Sequence, residues 1–311
     1  MILGFFGFFI GIIGMLFLSP KVTDYSIKLG KIFSISPIII GLMIAVGANL
    51  PELSNSIVSS LMGFDDINIG NLLGSSLALF TINTGAVILL KGGFKVDRKN
   101  ILILFACSTI VLFQIFTIFE NNIISRFNGL ILIGVFVIIY FIIQNTVIKK
   151  DYLVDSQEKI IFSSYKNKYL FFLILNLLGI VFFAYIFVNS IISLSDFFGV
   201  SAFIVSFFIV SIATTLPEFF IGINAFKRNE HELFLGDQFG GIISNLTLIL
   251  GISALISEKI IDSVLIINSL NYILISFILV FTIMIIKKDI DRKMAIMLIG
   301  IYCVSIFFII P

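Results

Sequence analysis

The sequence predicts an all-α integral membrane protein of ten transmembrane helices, built as two inverted five-helix repeats with helices broken at the midplane. Three observations predict it. Of the 311 residues 59% are hydrophobic and 12% charged, and the mean hydropathy of +1.18 is far too high for a water-soluble domain. Apolar runs of about 20 residues follow one another, without the apolar/polar alternation of a membrane barrel. Finally, the stretch Leu50-Pro51-Glu52 returns as Leu216-Pro217-Glu218 in an equally apolar setting.

Taken in order, the apolar stretches place spans at about 2–18, 35–62, 67–90, 101–119, 127–148, 168–194, 201–226, 233–257, 260–286 and 294–310. The first, Ile2 to Leu18, has no basic region before it and no small-residue cleavage site after it, and reads as a retained span. Between the fifth and sixth spans lies the longest polar stretch, Lys149 to Lys168. It divides the chain into a first five-helix repeat (1–148), a linker (149–167) and a second repeat (168–311).

Charge distribution tests the span count. If alternate loops share a side, all of the 20 Lys and Arg except Arg126 and Lys259 fall together. The positive-inside rule then puts both termini outside and the linker in the cytoplasm of a multi-pass cell-membrane protein. The net charge of +2 gives no reason to expect a nucleic-acid partner.

The two halves align by sliding the sequence 166 positions, the distance from Pro51 to Pro217. Gly70 then meets Gly236, Gly74 meets Gly240, Thr81 meets Thr247 and Gly85 meets Gly251, all without a gap. Because each half has an odd number of spans, the second copy enters the membrane upside down. Inverted repeats with interrupted helices are the mark of a secondary transporter.

The repeated motif supplies its chemistry. Proline removes a backbone donor and clashes with the carbonyl four residues back, so Gly47-Ala48-Asn49-Leu50-Pro51 interrupts the second span. Backbone carbonyls freed at that depth are tolerated where they face protein or water, and they suit a hard cation. Glu52 opens the resumed helix; the seventh span offers Ser211, Thr214, Thr215 and Glu218 in the same way. An ionised acid inside the membrane costs roughly 2.5 to 3.5 kcal/mol, so two acids in matched contexts point to function rather than to packing kinks.

In the following spans, positions 71, 75, 79 and 237, 241, 245 each share one helix face. That face carries Asn71, Ser75 and Leu79 in one half, and Asp237, Gly241 and Asn245 in the other. The glycines of these spans read as close helix contacts, whereas Asp237 is a third acid at or near membrane depth. Cys107 and Cys303 lie in apolar segments and read as packing residues. The lone histidine, His231, falls in the charged stretch Lys227 to Glu232 and reads as a solvated loop residue. Without a nucleophile triad, a histidine metal site or a phosphate loop, an enzyme is not expected, and neither is a resident cofactor.

These motifs resemble the α-repeats of the sodium/calcium exchanger superfamily of cation antiporters, and the resemblance covers essentially the whole chain. It implies that Glu52 and Glu218 coordinate the transported cation. It further implies ligands at Ala45, Ala48 and Asn49, at Ser211, Thr214 and Thr215, at Ser75 and Leu79, and at Gly241 and Asn245, with spans one and six as the moving elements. The chain departs from the pattern at the site itself: Leu79 and Gly241 carry no side-chain oxygen, Ala48 replaces a hydroxyl residue and Asn49 replaces a serine. Asp237, one turn before Gly241, offers a carboxylate from a shifted position.

The function so implied is secondary-active antiport of Ca2+ or a related cation against Na+ by alternating access. A cation/H+ antiporter, or a degenerate relative that binds without transporting, stands as the alternative. The expected partners are membrane lipid and small inorganic cations.

Overall fold

The computed structural model describes residues 2–32, 47, 49–95, 98–119, 123–146, 165–227, 231–260, 264–287 and 289–309. The first repeat contributes α1 (Ile2–Ile32), α2 (Leu50–Leu61) and α3 (Asp65–Ala78), the last continued by a π turn (Leu79–Asn83) into α4 (Thr84–Lys91). Then come α5 (Arg98–Phe119) and α6 (Arg126–Thr146). The second repeat begins with α7 (Lys166–Phe198). A broken span follows: α8 (Ala202–Val205), a π turn (Ser206–Val210), α9 (Ser211–Thr214) and α10 (Leu216–Lys227). The chain closes with α11 (His231–Ile243), a π turn (Ser244–Ile249), α12 (Leu250–Ile256), α13 (Val264–Lys287) and α14 (Arg292–Ile309).

Among the described residues nine helical spans are long and apolar enough to cross a membrane. The tenth expected span is represented by α2. Its first half, like Ala45, Ala48 and the linker as far as residue 164, lies outside the described residues.

Two expected boundaries move. Helix α1 continues well past Leu18, with Pro20 inside it. Ser19 donates to the Met15 carbonyl (2.7 Å) and Thr23 to the Ser19 carbonyl (3.1 Å), so both hydroxyls beside the proline bond back to the preceding turn. At the ninth span Lys259 and Ile260 are drawn into a strand pairing, and the described helix runs over Val264–Lys287. Helix α7 stops at Gly199, whose φ of 65° is the left-handed conformation that commonly ends a helix.

The inverted repeat is visible in contacts between the halves. Two short antiparallel pairings join loops of opposite repeats: β1 (Phe94–Lys95) with β4 (Asp289–Ile290), and β2 (Ile123–Ile124) with β3 (Lys259–Ile260). Each thus joins loops expected on the same side of the membrane. Glycines of the repeat mirror each other too. A Cβ on Gly85 would lie 2.8 Å from the Ala295 carbonyl of α14, and one on Gly251 would lie 2.8 Å from the Gly129 carbonyl of α6. Each half therefore presses its third span against the fifth span of the other. The π turns at Leu79–Asn83 and Ser244–Ile249 are repeat equivalents as well.

Helices α1 and α7 pair closely with each other and share an apolar cluster with α2 and the second break. A Cβ on Gly11 would meet Phe187 Cβ at 2.8 Å, and Gly14 lies under the Phe183 ring, so small residues let the two helices approach closely. The third and eighth spans are the most enclosed of the molecule, while α6, α7, α13 and α14 expose phenylalanine, isoleucine and leucine as a bilayer requires.

Two side chains sit elsewhere than expected. His231 starts α11, and its ring lies 4.8 Å from that of Phe94 and 4.6 Å from that of Phe226. The aromatic ends of neighbouring elements collect around it, so it is half-buried rather than solvated. Cys107 is buried as expected but Cys303 is exposed, because Tyr302 and Ser305 occupy the inward face of α14.

Candidate functional site

The two breaks have the same construction. In each, the proline falls in the first turn of the resumed helix, where a missing N–H costs no internal bond. Leu53 N–H donates to the Asn49 carbonyl (2.9 Å), and its repeat equivalent Phe219 donates to the Thr215 carbonyl (3.2 Å). Glu52 and Glu218 therefore sit in the first turn of α2 and α10, at helix N-termini that favour negative charge. Both acids are almost completely buried, at 0% and 1% exposure. None of their four carboxylate oxygens takes a well-formed hydrogen bond from a described residue.

Burying a carboxylate costs several kcal/mol unless something compensates it. Glu218 lies within electrostatic reach of both Glu52 and Asp237, so the neighbouring acids aggravate that cost. Asp237 accepts from Gln238 Nε2 (3.3 Å), and the same amide reaches the Glu218 carbonyl (3.5 Å). Asp237 is half-buried and lies within electrostatic reach of Glu218. A cluster of acids without basic partners among the described residues is suited to accept cations or protons. Among the described residues no three acidic, cysteine or histidine side chains form a cage for a metal ion.

Those neutral oxygens are concentrated beside Glu52. The Thr214 hydroxyl adjoins the Glu52 carboxylate and donates to Asn71 Oδ1 (3.2 Å) and to the Ser211 carbonyl (3.3 Å). Ser75 Oγ lies 3.3 Å from Thr214 Oγ1 and 3.4 Å from Asn71 Oδ1. Ser211 donates to the Phe207 carbonyl and Thr215 to that of Ser211 (2.9 Å), so these two hydroxyls are turned to the backbone. Asn245 is fully buried, and its amide takes no hydrogen bond among the described residues. Of the expected ligands, Glu52, Ser75 and Thr214 come together. Leu79 instead packs against Gly241, with Asn49 Oδ1 alongside.

The glycine expectation holds for the first repeat. A Cβ on Gly70 would lie 2.8 Å from the Phe203 carbonyl, and one on Gly74 would collide with that of Phe207. For Gly236 and Gly240 no described atom lies within contact; their repeat-equivalent neighbours would be 37 and 41, outside the described residues.

Several polar residues of the site are not evident from the sequence. Asn83 Nδ2 donates to the Thr215 carbonyl (3.1 Å), so the break at Thr215 does not leave that carbonyl free. A polar row leads from Glu52 along α2. Ser56 donates to Asn68 (2.8 Å), Asn68 to Ser60 (2.8 Å), and Lys259 to Ser60 (2.9 Å) and Asp65 (2.6 Å). The signal for it is the density of serine and asparagine in Leu53-Ser54-Asn55-Ser56-Ile57-Val58-Ser59-Ser60, high for a membrane segment.

Comparison with known proteins agrees with this architecture. The chain is 28% identical over 287 residues to an uncharacterised membrane protein of Methanocaldococcus jannaschii, covering 87% of this chain and 89% of the relative. It is 26% identical to the sodium/calcium exchanger MaX1 of Methanosarcina acetivorans, covering 80% and 82%. The crystal structure of the H+/Ca2+ exchanger CAX superposes with a TM-score of 0.75 at 15% identity, covering 98% of this chain and 82% of that one. The sodium-calcium exchanger NCX_Mj superposes with a TM-score of 0.63 at 24% identity, covering 98% of each chain. The pattern that defines the family described as Sodium/calcium exchanger protein matches residues 3–144 and 168–310, nearly all of both repeats, and the chain therefore belongs to that family.

Proposed function

We propose that this protein is a secondary-active cation antiporter that exchanges Ca2+ or a related divalent cation for Na+ by alternating access. The observation that carries the reading is the pair Glu52 and Glu218, repeat-related and buried at two helix breaks, with no well-formed hydrogen bond to their carboxylate oxygens from a described residue. Two carboxylates balance one divalent ion, and the hydroxyls of Ser75 and Thr214 with the amides of Asn71 and Asn245 supply neutral oxygens around it. Monovalent ions that occupy the same carboxylates displace the divalent ion. Exchange requires no covalent chemistry.

The α1–α7 pair is the moving element. It packs on itself through glycines and shares an apolar cluster with Leu50 and Val58 of α2 and with Val205 and Val210 at the second break, and Gly47 at the first break makes room for the Thr23 side chain of α1. Sliding this pair past the breaks opens the chamber to alternate sides. Both termini are outside and the linker is cytoplasmic, as the Lys and Arg distribution requires.

Asp237 favours a proton as counter-ion in a second reading. It is a third acid beside Glu218, one carboxylate more than a divalent ion needs. Flux in proteoliposomes tests both. The parent should take up Ca2+ when loaded with Na+, or with acid in the second reading, and Glu52→Gln and Glu218→Gln should each lose uptake. Parent-like transport by both variants would refute the site.

A further inference from the structure

The two repeats do not contribute equally to the chamber. Under the repeat, Asn71 pairs with Asp237, Ser75 with Gly241, Leu79 with Asn245 and Ala48 with Thr214. One wing, where α3 faces the break of the second half, is polar. There Asn71, Ser75 and Thr214 bond to one another beside Glu52. The equivalent wing, where α11 faces the break of the first half, has lost a hydroxyl at Gly241 and an amide at Leu79.

The two losses meet in space. Leu79 Cδ1 lies 2.8 Å from the position of a Cβ on Gly241, and its Cδ2 lies 3.9 Å away. Leu79 is completely buried, so its methyl groups occupy the volume that a side chain at 241 would fill. Such a knob and hole require each other. A residue larger than glycine at 241 overpacks against Leu79, and a residue smaller than leucine at 79 leaves a void in the chamber. Meanwhile Asn245, the repeat equivalent of Leu79, is buried with its amide unengaged by any described residue, as a ligand to a mobile ion would be.

We infer that Leu79 is a specificity-determining plug. By filling the space beside Gly241 it closes one wing of the chamber, so cargo cation and counter-ion compete for the single polar wing of Glu52, Asn71, Ser75 and Thr214. The inference rests on the antiporter reading of the same site. Methyl groups at the head of Gly241, with Asn49 Oδ1 the single oxygen among its three nearest described atoms, replace little of the hydration that an ion must shed to enter.

Equilibrium binding of radiolabelled Na+ and Ca2+ to the purified chain in detergent tests it. Leu79→Asn/Gly241→Ser gives the plugged wing the residues of the polar one, and should bind more Na+ per chain than the parent. Ser75→Gly/Asn245→Leu gives the polar wing the residues of the plugged one, and should weaken Ca2+ binding about tenfold or more. Unchanged Na+ stoichiometry in the first variant, or parent-like Ca2+ binding in the second, overturns the plug.

Failure of the antiporter reading would look different, since the parent itself would bind neither ion saturably. Thermal unfolding without added ions supplies an independent arm. Gly241→Ala alone should lower Tm, and Leu79→Ala/Gly241→Ala should recover part of the loss. Strictly additive losses would mean that the two positions share no space, and would also overturn it.

Discussion

Ser75 Oγ and Thr214 Oγ1 lie 3.3 Å apart, one from each repeat, and both address Asn71 Oδ1. The polar wing of the chamber is thus held by a three-membered contact across the interface between the halves. Ser75→Ala and Thr214→Ala should each weaken Ca2+ binding by about 1 kcal/mol, the scale of one lost oxygen contact. The double variant should lose less than the sum, because each single change already disturbs the shared Asn71 contact. Fully additive losses in a titration of the four proteins would argue against a common wing.

Most of this fold is legible in the sequence because its causes are local or periodic. Apolar length gives the spans, loop charge sorts them, and Leu-Pro-Glu at a constant offset exposes the repeat. The acids Glu52 and Glu218 are legible for the same reason: a carboxylate in an apolar run stands out against its neighbours. What does not read out is who faces whom across the halves. Nothing local to Leu79 announces that it fills the hole at Gly241, and Asn83 gives no sign that it reaches the Thr215 carbonyl. His231 looks solvated in the sequence because its surroundings are aromatic side chains, one of them from an element far away along the chain. Helix α1 outruns its expected end because Pro20 sits inside a membrane-length apolar helix instead of ending it.

Glycine substitutions should divide by neighbour. A Cβ on Gly74 would run into the Phe207 carbonyl, a backbone atom that cannot rotate away. Gly74→Ala should therefore cost about 1–3 kcal/mol, the usual range for overpacking. Gly134 and Gly300 lie on exposed helix faces where an added methyl would meet no described atom within 4 Å, and Gly→Ala there should leave thermal stability unchanged or slightly raised. Equal losses at all three positions would show that helix propensity, and not the contact between α3 and the π turn after α8, sets the effect.

Membrane orientation has a direct chemical test. Lys95 and Arg126 are both exposed, in or beside loops that join opposite inter-repeat strand pairs. In a background lacking Cys107 and Cys303, Arg126→Cys should react with an impermeant maleimide in intact cells. Lys95→Cys should react only after the membrane is opened. The reverse pattern would invert the proposed topology, and labelling of both from outside would break the span count.

Lys259 is fully buried while its partner Asp65, 2.6 Å away, keeps 25% of its side chain exposed. The pair pins the loop before α13 to the start of α3, and the two partners are not equivalent. Removing Asp65 strands a buried ammonium, whereas removing Lys259 leaves an acid that still reaches water. Asp65→Asn should therefore destabilise more than Lys259→Met, with the former near the roughly 3–5 kcal/mol typical of a broken buried pair. The double variant should recover part of the loss. pH adds a second readout. Burial pushes the Lys259 ammonium below its ordinary value of 10.5, and the Asp65 carboxylate offsets only part of that. The unfolded chain consequently holds this proton more tightly than the folded one, so stability rises with pH from the lowered value up to about 10.5. Thermal unfolding of the parent across that alkaline window should show the rise and Lys259→Met should lack it. An identical pH slope in the two proteins would place the titration elsewhere.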